Sequence, residues 1–180
     1  HALPAYLRSR RTVKWDLPTE TSDCTQAQRE RQAADDAVAG KVVVVNIPLQ
    51  FAGDHIDWHY NATDHDPKLP HDNEWQWQLG RMNWWYALDA AYLATGDEKY
   101  AKTFVEEFRS WRDQCPMPAK VDQHPGSAWR TIECGIRMRG SWPTAFFTFL
   151  QAPALTDDDI VDYVKLCMEH AIYLQKHPTG

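Results

Sequence analysis

Neither an initiator methionine nor a charged-then-apolar leader opens this 180-residue chain. His1-Ala2-Leu3 therefore reads as a trimmed or engineered start, and compartment is not legible there. No apolar run approaches the roughly 20 residues that a helical membrane span requires. The longest, Trp142 to Leu150, carries Pro143, so no membrane span is expected. Basic residues are the minority: 19 Lys+Arg stand against 25 Asp+Glu, a formal net charge of -6. The overall positive field that draws proteins onto nucleic acid is missing, and nucleic acid is excluded as a partner. Only four cysteines occur (Cys24, Cys115, Cys134, Cys167), far apart and without a CxxC pair. They are expected to be buried free thiols, with one disulfide as the alternative in an exported protein. GxGxxG, P-loop, GxSxG and HExxH motifs are all missing, so nucleotide-binding and hydrolase-triad readings have no support and no cofactor is expected.

What is present suffices for one domain. Residues are 43% hydrophobic and 24% charged, enough for a core and too apolar for disorder. Residues 1–54 read as an N-terminal extension with a small strand or hairpin. Pro4 to Arg11 suits a short helix, and Ser22 could cap a second from about Thr25 to Ala39, stopped by Gly40. The β-branched run Val42 to Val45, then Ile47-Pro48-Leu49 and Gly53-Asp54, predicts the strand or hairpin. Residues 55–72, rich in Asp and His with Pro67 and Pro70, read as a long polar loop, a feature that is usually functional when ordered.

Helical hairpins are predicted over 73–180. Asn73 to Thr95 reads as one helix, with Trp75, Leu79, Met82, Tyr86 and Leu93 on one face and Asn73, Trp77, Arg81, Trp84 and Leu88 on another. Thr95-Gly96-Asp97 ends it and starts a helix over Glu98 to Asp113 with Phe104, Phe108 and Trp111 inside. A third helix is expected from about Ser127 toward Leu150, kinked or broken at Pro143. Thr156 and three aspartates start a fourth, with Ile160, Val164, Cys167, Ala171 and Leu174 along one face. Helices joined by short turns suit an all-α, incomplete (α/α) toroid or solenoid.

Nine tryptophans are a large excess, and five of them fall between Trp58 and Trp85. Sugar rings offer flat C–H faces that stack on aromatic rings, which points to carbohydrate; core packing is the competing account, and the stronger one for Trp75 and Trp84. Arg130, Glu133 and Arg137 lie at i, i+3 and i+7 on one helix face. Two guanidinium forks around a carboxylate suit an anionic sugar, and the same spacing suits a structural salt-bridge ladder. His55, His59, His65 and His71 with their neighbouring aspartates match no established metal spacing, so no metal site is assigned. With a negative chain, any polyanion must be met by locally grouped arginines.

Three segments in order carry a resemblance: Ile56-Asp57-Trp58-His59-Tyr60-Asn61, Asn73-Glu74-Trp75-Gln76-Trp77-Gln78-Leu79-Gly80-Arg81, and Ser127-Ala128-Trp129-Arg130-Thr131-Ile132-Glu133-Cys134-Gly135-Ile136-Arg137. With the Thr95 to Tyr100 turn, and over about Trp15 to the last residue, the chain resembles the amino-terminal part of the heparinase II/III family, nearest its heparan-sulfate lyase branch. The resemblance implies an (α/α) toroid continued outside these residues and followed by a β-sandwich. It also implies export to the periplasm of a Gram-negative bacterium and cleavage of a uronate-containing glycosaminoglycan by β-elimination. The partners implied are an anionic polysaccharide and the rest of the protein's own chain.

The family's catalytic Asn, Tyr and His are expected beyond Gly180, so no catalytic residue is assigned here. What remains is cleft wall: Asn73, Trp77, Gln78 and Arg81 on the first long helix, and Trp129, Arg130, Glu133 and Arg137 on the third, expected to face or support a sugar groove. Replacing Arg130 or Arg137 by Ala is expected to weaken turnover with little loss of folding. A non-catalytic carbohydrate-capture protein on the same scaffold is the alternative, and a purely structural α/α domain is a third reading.

Overall fold

The computed structural model describes residues 2–10, 24–51, 55–121, 124 and 126–177, without the side chains of 24–26. The expected cap Ser22, the Gly53-Asp54 turn and the side chain of Cys24 lie outside the described residues. Among the described residues, eight α-helices and one hairpin follow in order: α1 (Ala2–Ser9), α2 (Cys24–Val38), β1 (Lys41–Val44), β2 (Ile47–Gln50), α3 (Asn73–Leu79), α4 (Trp85–Thr95), α5 (Glu98–Gln114), α6 (Thr131–Arg139), α7 (Ser141–Phe149) and α8 (Asp157–Lys176), with one 3-10 turn at Ala62–Asp64 before α3. The strands pair antiparallel, Val42 opposite Leu49, around a Val45-Asn46 turn in which both residues have positive φ. This is the expected all-α architecture with a small hairpin.

Local chemistry sets most boundaries. The Asp72, Asp97 and Thr156 side chains accept from the second or third backbone N–H of α3, α5 and α8, satisfying donors that a helix start leaves open. Thr156 and Asp159 complete a reciprocal capping box. Gly96 ends α4 in the left-handed conformation, at φ 67°.

Three expectations are corrected. The single helix over Asn73 to Thr95 is two, α3 and α4, separated at 80–84, where Met82 takes φ 49°. Met82 is fully buried, and its packing outweighs the cost of a left-handed residue. The break leaves Tyr86 and Leu93 exposed instead of lining a continuous inner face. In the third helix the break falls at Gly140, not Pro143. A Cβ at Gly140 would lie 2.8 Å from the Ile136 carbonyl oxygen, whereas Pro143 sits in the first turn of α7, where its missing N–H costs nothing. On α8 the buried stripe is Ile160, Tyr163, Leu166, His170 and Tyr173; it follows the aromatic ring contacts of the neighbouring helices, and Ala171 is exposed.

The core is aromatic. Trp85 meets Phe104 edge-on at 4.8 Å, Trp142 meets Trp111 at 4.8 Å, and Phe146 stacks on Tyr163 at 3.9 Å between centroids. Trp58, Trp75, Trp85, Trp111, Trp129 and Trp142 are all buried, so core packing accounts for most of the tryptophan excess. Helix α2 packs on α4 and α5, α4 on α7, and α6 on α7 and α8. Ion pairs lock the periphery: Arg109 holds Asp159 with two bonds of 2.7 and 2.8 Å, and Arg8 joins α1 to Asp157 and to the Leu150 and Leu155 carbonyls. Cys115, Cys134 and Cys167 are free thiols; burial pushes Cys115 up to about 12 and Cys134 to about 11. No helix among the described residues is long and apolar enough to cross a membrane.

Candidate functional site

The long polar loop is ordered by its own side chains. Asn61 accepts from the Thr63 N–H and hydroxyl and donates to the Asp72 carbonyl, while the Thr63 hydroxyl accepts from the Asp72 N–H at 2.9 Å. Trp58 donates its indole N–H to Ser110 Oγ, and the Gln114 amide bonds the Trp58 N–H and the Ile56 carbonyl. The loop is thereby clamped between the end of α5 and the start of α3. Its histidines go to separate partners: His59 to the Gln114 carbonyl, His65 stacked on Tyr60, His71 on Asp64. Asp64 raises the His71 pKa. Among the described residues, no three His, Cys, Asp or Glu side chains converge on a common point.

Helices α3 and α6 are joined by a cluster of charge. Arg81 forks onto Glu133, Nε to Oε2 at 2.7 Å and Nη2 to Oε1 at 3.0 Å, and donates to Glu74 at 2.9 Å. The pairing with Glu133 holds the Arg81 pKa above its ordinary value. Gln78 donates to the same Glu74 oxygen. The break at 80–84 makes this geometry, with the Ser141 hydroxyl fixing the Arg81 carbonyl at 2.7 Å. Arg130 contacts Glu133 through one nitrogen at 3.4 Å, and its guanidinium lies 3.4 Å above the centre of the Trp77 ring.

The eight residues expected at a groove therefore divide. Trp77, Gln78, Arg81 and Arg130 share one half-buried surface with Glu133 beneath it, and Asn73 stands at the start of α3 beside His71. Trp129 is buried but lines the edge of the cleft described below, whereas Arg137 is interior. Trp129 donates its indole N–H to the Cys115 carbonyl and packs on His170 at 4.5 Å. Arg137, 1% exposed, lies on the Trp111 and Trp142 rings and donates to the Ala128 carbonyl and to His170 Nε2. Burial lowers its pKa. His170 donates through Nδ1 to the Leu166 carbonyl, so Nε2 is an acceptor; burial and then Arg137 push this histidine down to about 3. No Arg130–Glu133–Arg137 ladder forms.

A cleft of about 530 Å³ adjoins the cluster, lined by His59, Gln76, Gln114, Pro118, His124 and Ser127 among others. The sequence points to Trp129 at a groove and raises His59 only as a metal ligand; Gln76, Gln114, Pro118, His124 and Ser127 are not singled out by it. Gln76 lies inside the second of the three segments, and that position is the one signal that could have drawn it in. Its amide donates to the His59 carbonyl at 3.1 Å and presses on Gly126, where a Cβ would sit 2.0 Å from the Gln76 oxygen.

Fold and site together define a helical domain in which α3, the end of α5, the ordered polar loop and the α5–α6 connection wall a polar cleft beside a guanidinium–indole stack. The chain belongs to the heparinase II/III family: the family described as the heparinase II/III N-terminus matches residues 1–180. It is 36% identical over 106 residues, 59% of this chain, to a heparin-sulfate lyase of Pedobacter heparinus, and 27% identical over 191 residues, 96% of this chain, to one of Bacteroides stercoris. These alignments cover 16% and 27% of the relatives' own lengths. The crystal structure of a heparan sulfate lyase from Pedobacter heparinus superposes with a TM-score of 0.79 at 29% identity, covering 99% of this chain and 28% of that one.

Proposed function

We propose that these residues are the substrate-binding part of a polysaccharide lyase that cleaves a uronate-containing glycosaminoglycan, of the heparan sulfate kind, by β-elimination in the periplasm. In that reaction the proton on C5 is removed, the C4–oxygen bond breaks, and the electron pair forms a C4–C5 double bond without consuming water. On this reading, the resemblance to the family implies that the groups that move the protons are not among these 180 residues. The observation that carries the reading is the Arg130–Trp77 stack. Arg81 is committed to two carboxylates and Arg137 is buried, whereas Arg130 spends one nitrogen on Glu133 and keeps the rest of its fork for a uronate carboxylate. The indole fixes the plane of that fork, so little freedom is lost on binding.

The two arginines are therefore expected to behave differently. Arg130→Ala should raise KM for heparan sulfate oligosaccharides about tenfold with an unchanged melting temperature. Arg137→Ala should instead cost on the order of 3 kcal/mol of stability, because it opens a cavity among Trp111, Trp142 and His170 and leaves the Ala128 carbonyl without its donor. Paired kinetics and thermal unfolding check both. An Arg130→Ala protein with native KM would remove the anion-binding role.

A further inference from the structure

We propose that the cleft beside the Arg130–Trp77 stack is a subsite for an uncharged, hydroxylated sugar unit, with Gln76 as the residue that orients it. This rests on the reading of the domain as polysaccharide-binding and adds which unit of an alternating chain is held where.

Among the described lining residues there is no Lys or Arg, and the one charged group, Asp64, is a carboxylate held by His71. Such a wall repels a second anion and leaves hydrogen bonding and ring contact as the means of recognition. Several polar groups of the cleft are already committed. The Gln114 amide is used by Trp58, Ile56 and Ser110, and the Trp129 indole by the Cys115 carbonyl. Three remain. Gln76 Oε1 is an acceptor, since that side chain donates only through its nitrogen. The Ser127 oxygen accepts from the Trp129 N–H and keeps its own proton to donate. His59 donates through Nε2 to the Gln114 carbonyl, which leaves Nδ1 as an acceptor. Two acceptors and a donor, with Pro116 and Pro118 as apolar wall, match the hydroxyls and C–H face of a neutral pyranose.

Gly126 makes the position of Gln76 possible. A Cβ there would overlap the end of the Gln76 amide, at 2.0 Å from Oε1 and 2.8 Å from Cδ, and its three nearest heavy atoms all belong to that flexible side chain. Gly126→Ala should therefore swing the amide out of the cleft and leave the fold intact.

The test uses the protein at its natural length, with calorimetric binding of a tetrasaccharide that alternates glucuronate with N-acetylglucosamine. Gln76→Ala and Gly126→Ala should each weaken binding three- to tenfold, on the order of one lost hydrogen bond. Melting temperatures should be native, and the double variant should bind no worse than Gln76→Ala alone. An oligomer of glucuronate only, charged at every unit, should bind more weakly than the alternating probe. Native affinity in both single variants, or equal affinity for the two probes, overturns the subsite while a weakened Arg130→Ala keeps the polysaccharide reading. Failure of the unaltered protein to bind, or indifference to Arg130→Ala, overturns that reading and the subsite with it.

Discussion

Glu107 shows how burial tunes a single group. It lies in the core of α5, and one of its carboxyl oxygens accepts both the Trp84 indole N–H at 2.9 Å and the Trp85 indole N–H at 2.5 Å. Desolvation pushes its pKa from 4.5 up to about 7, against the pull of the two indoles. The folded chain thus keeps a proton that the unfolded chain releases near pH 4.5. Stability from this group is fully present below that pH and is lost as pH rises through about 7, a difference on the order of 3 kcal/mol. Glu107→Gln keeps an acceptor for both indoles and cannot ionise. Thermal unfolding of the two proteins should nearly coincide at pH 4.5 and diverge by pH 8, with the variant the more stable; a constant gap across that range would sink the account. At this scale the sequence reading was least informative. Spacing placed Arg130, Glu133 and Arg137 on one face, but the direction of each side chain depended on Trp77, Trp111 and Trp142, which come from other helices.

Elements were far more legible, because their ends are written in local chemistry. Asp97, Thr156 and Gly96 mark helix ends with residues whose side chains or backbone freedom do the work themselves. The break at 80–84 has no such marker: Met82, an unremarkable helix former, is driven to φ 49° by tertiary packing. The β1–β2 turn is a second place where the residue and its conformation disagree. Val45 and Asn46 hold φ of 49° and 61° in a two-residue connection, the pattern of a type I′ turn that favours Asn-Gly. Asn46 tolerates this, but a β-branched valine does so at a cost of about 1–2 kcal/mol. Val45 is 37% exposed, so little packing would be lost on its replacement. Val45→Asn should raise stability by about 1 kcal/mol in denaturant unfolding, seen as a higher midpoint at unchanged slope. A lower midpoint would mean that the Val45 side chain contributes more than the strain it carries.

Across the whole molecule, the balance of charge decides how an anionic polymer can be held. The chain carries a formal charge of -6, and many of its cations are already committed to its own carboxylates: Arg8 to Asp157, Arg81 to Glu74 and Glu133, Lys99 to Asp35 and Asp97, Arg109 to Asp159, Arg112 to Asp113 and Asp162. A protein that gripped a polyanion by a strip of free arginines would release many counterions and lose affinity steeply with salt. On the proposed reading, the attraction comes from the half-buried Arg130 guanidinium beside a cleft whose described lining has no Lys or Arg, while the remaining field opposes approach. Added salt screens both, the long-range repulsion more than the close contact. Affinity for the alternating tetrasaccharide should therefore change less than about threefold between roughly 50 and 200 mM salt, where the Debye length shortens from about 14 to about 7 Å. Calorimetric titration at the two ionic strengths measures this directly. A loss of tenfold or more would require additional arginines at the ligand and would transfer the recognition from the Arg130–Trp77 stack to a wider basic surface.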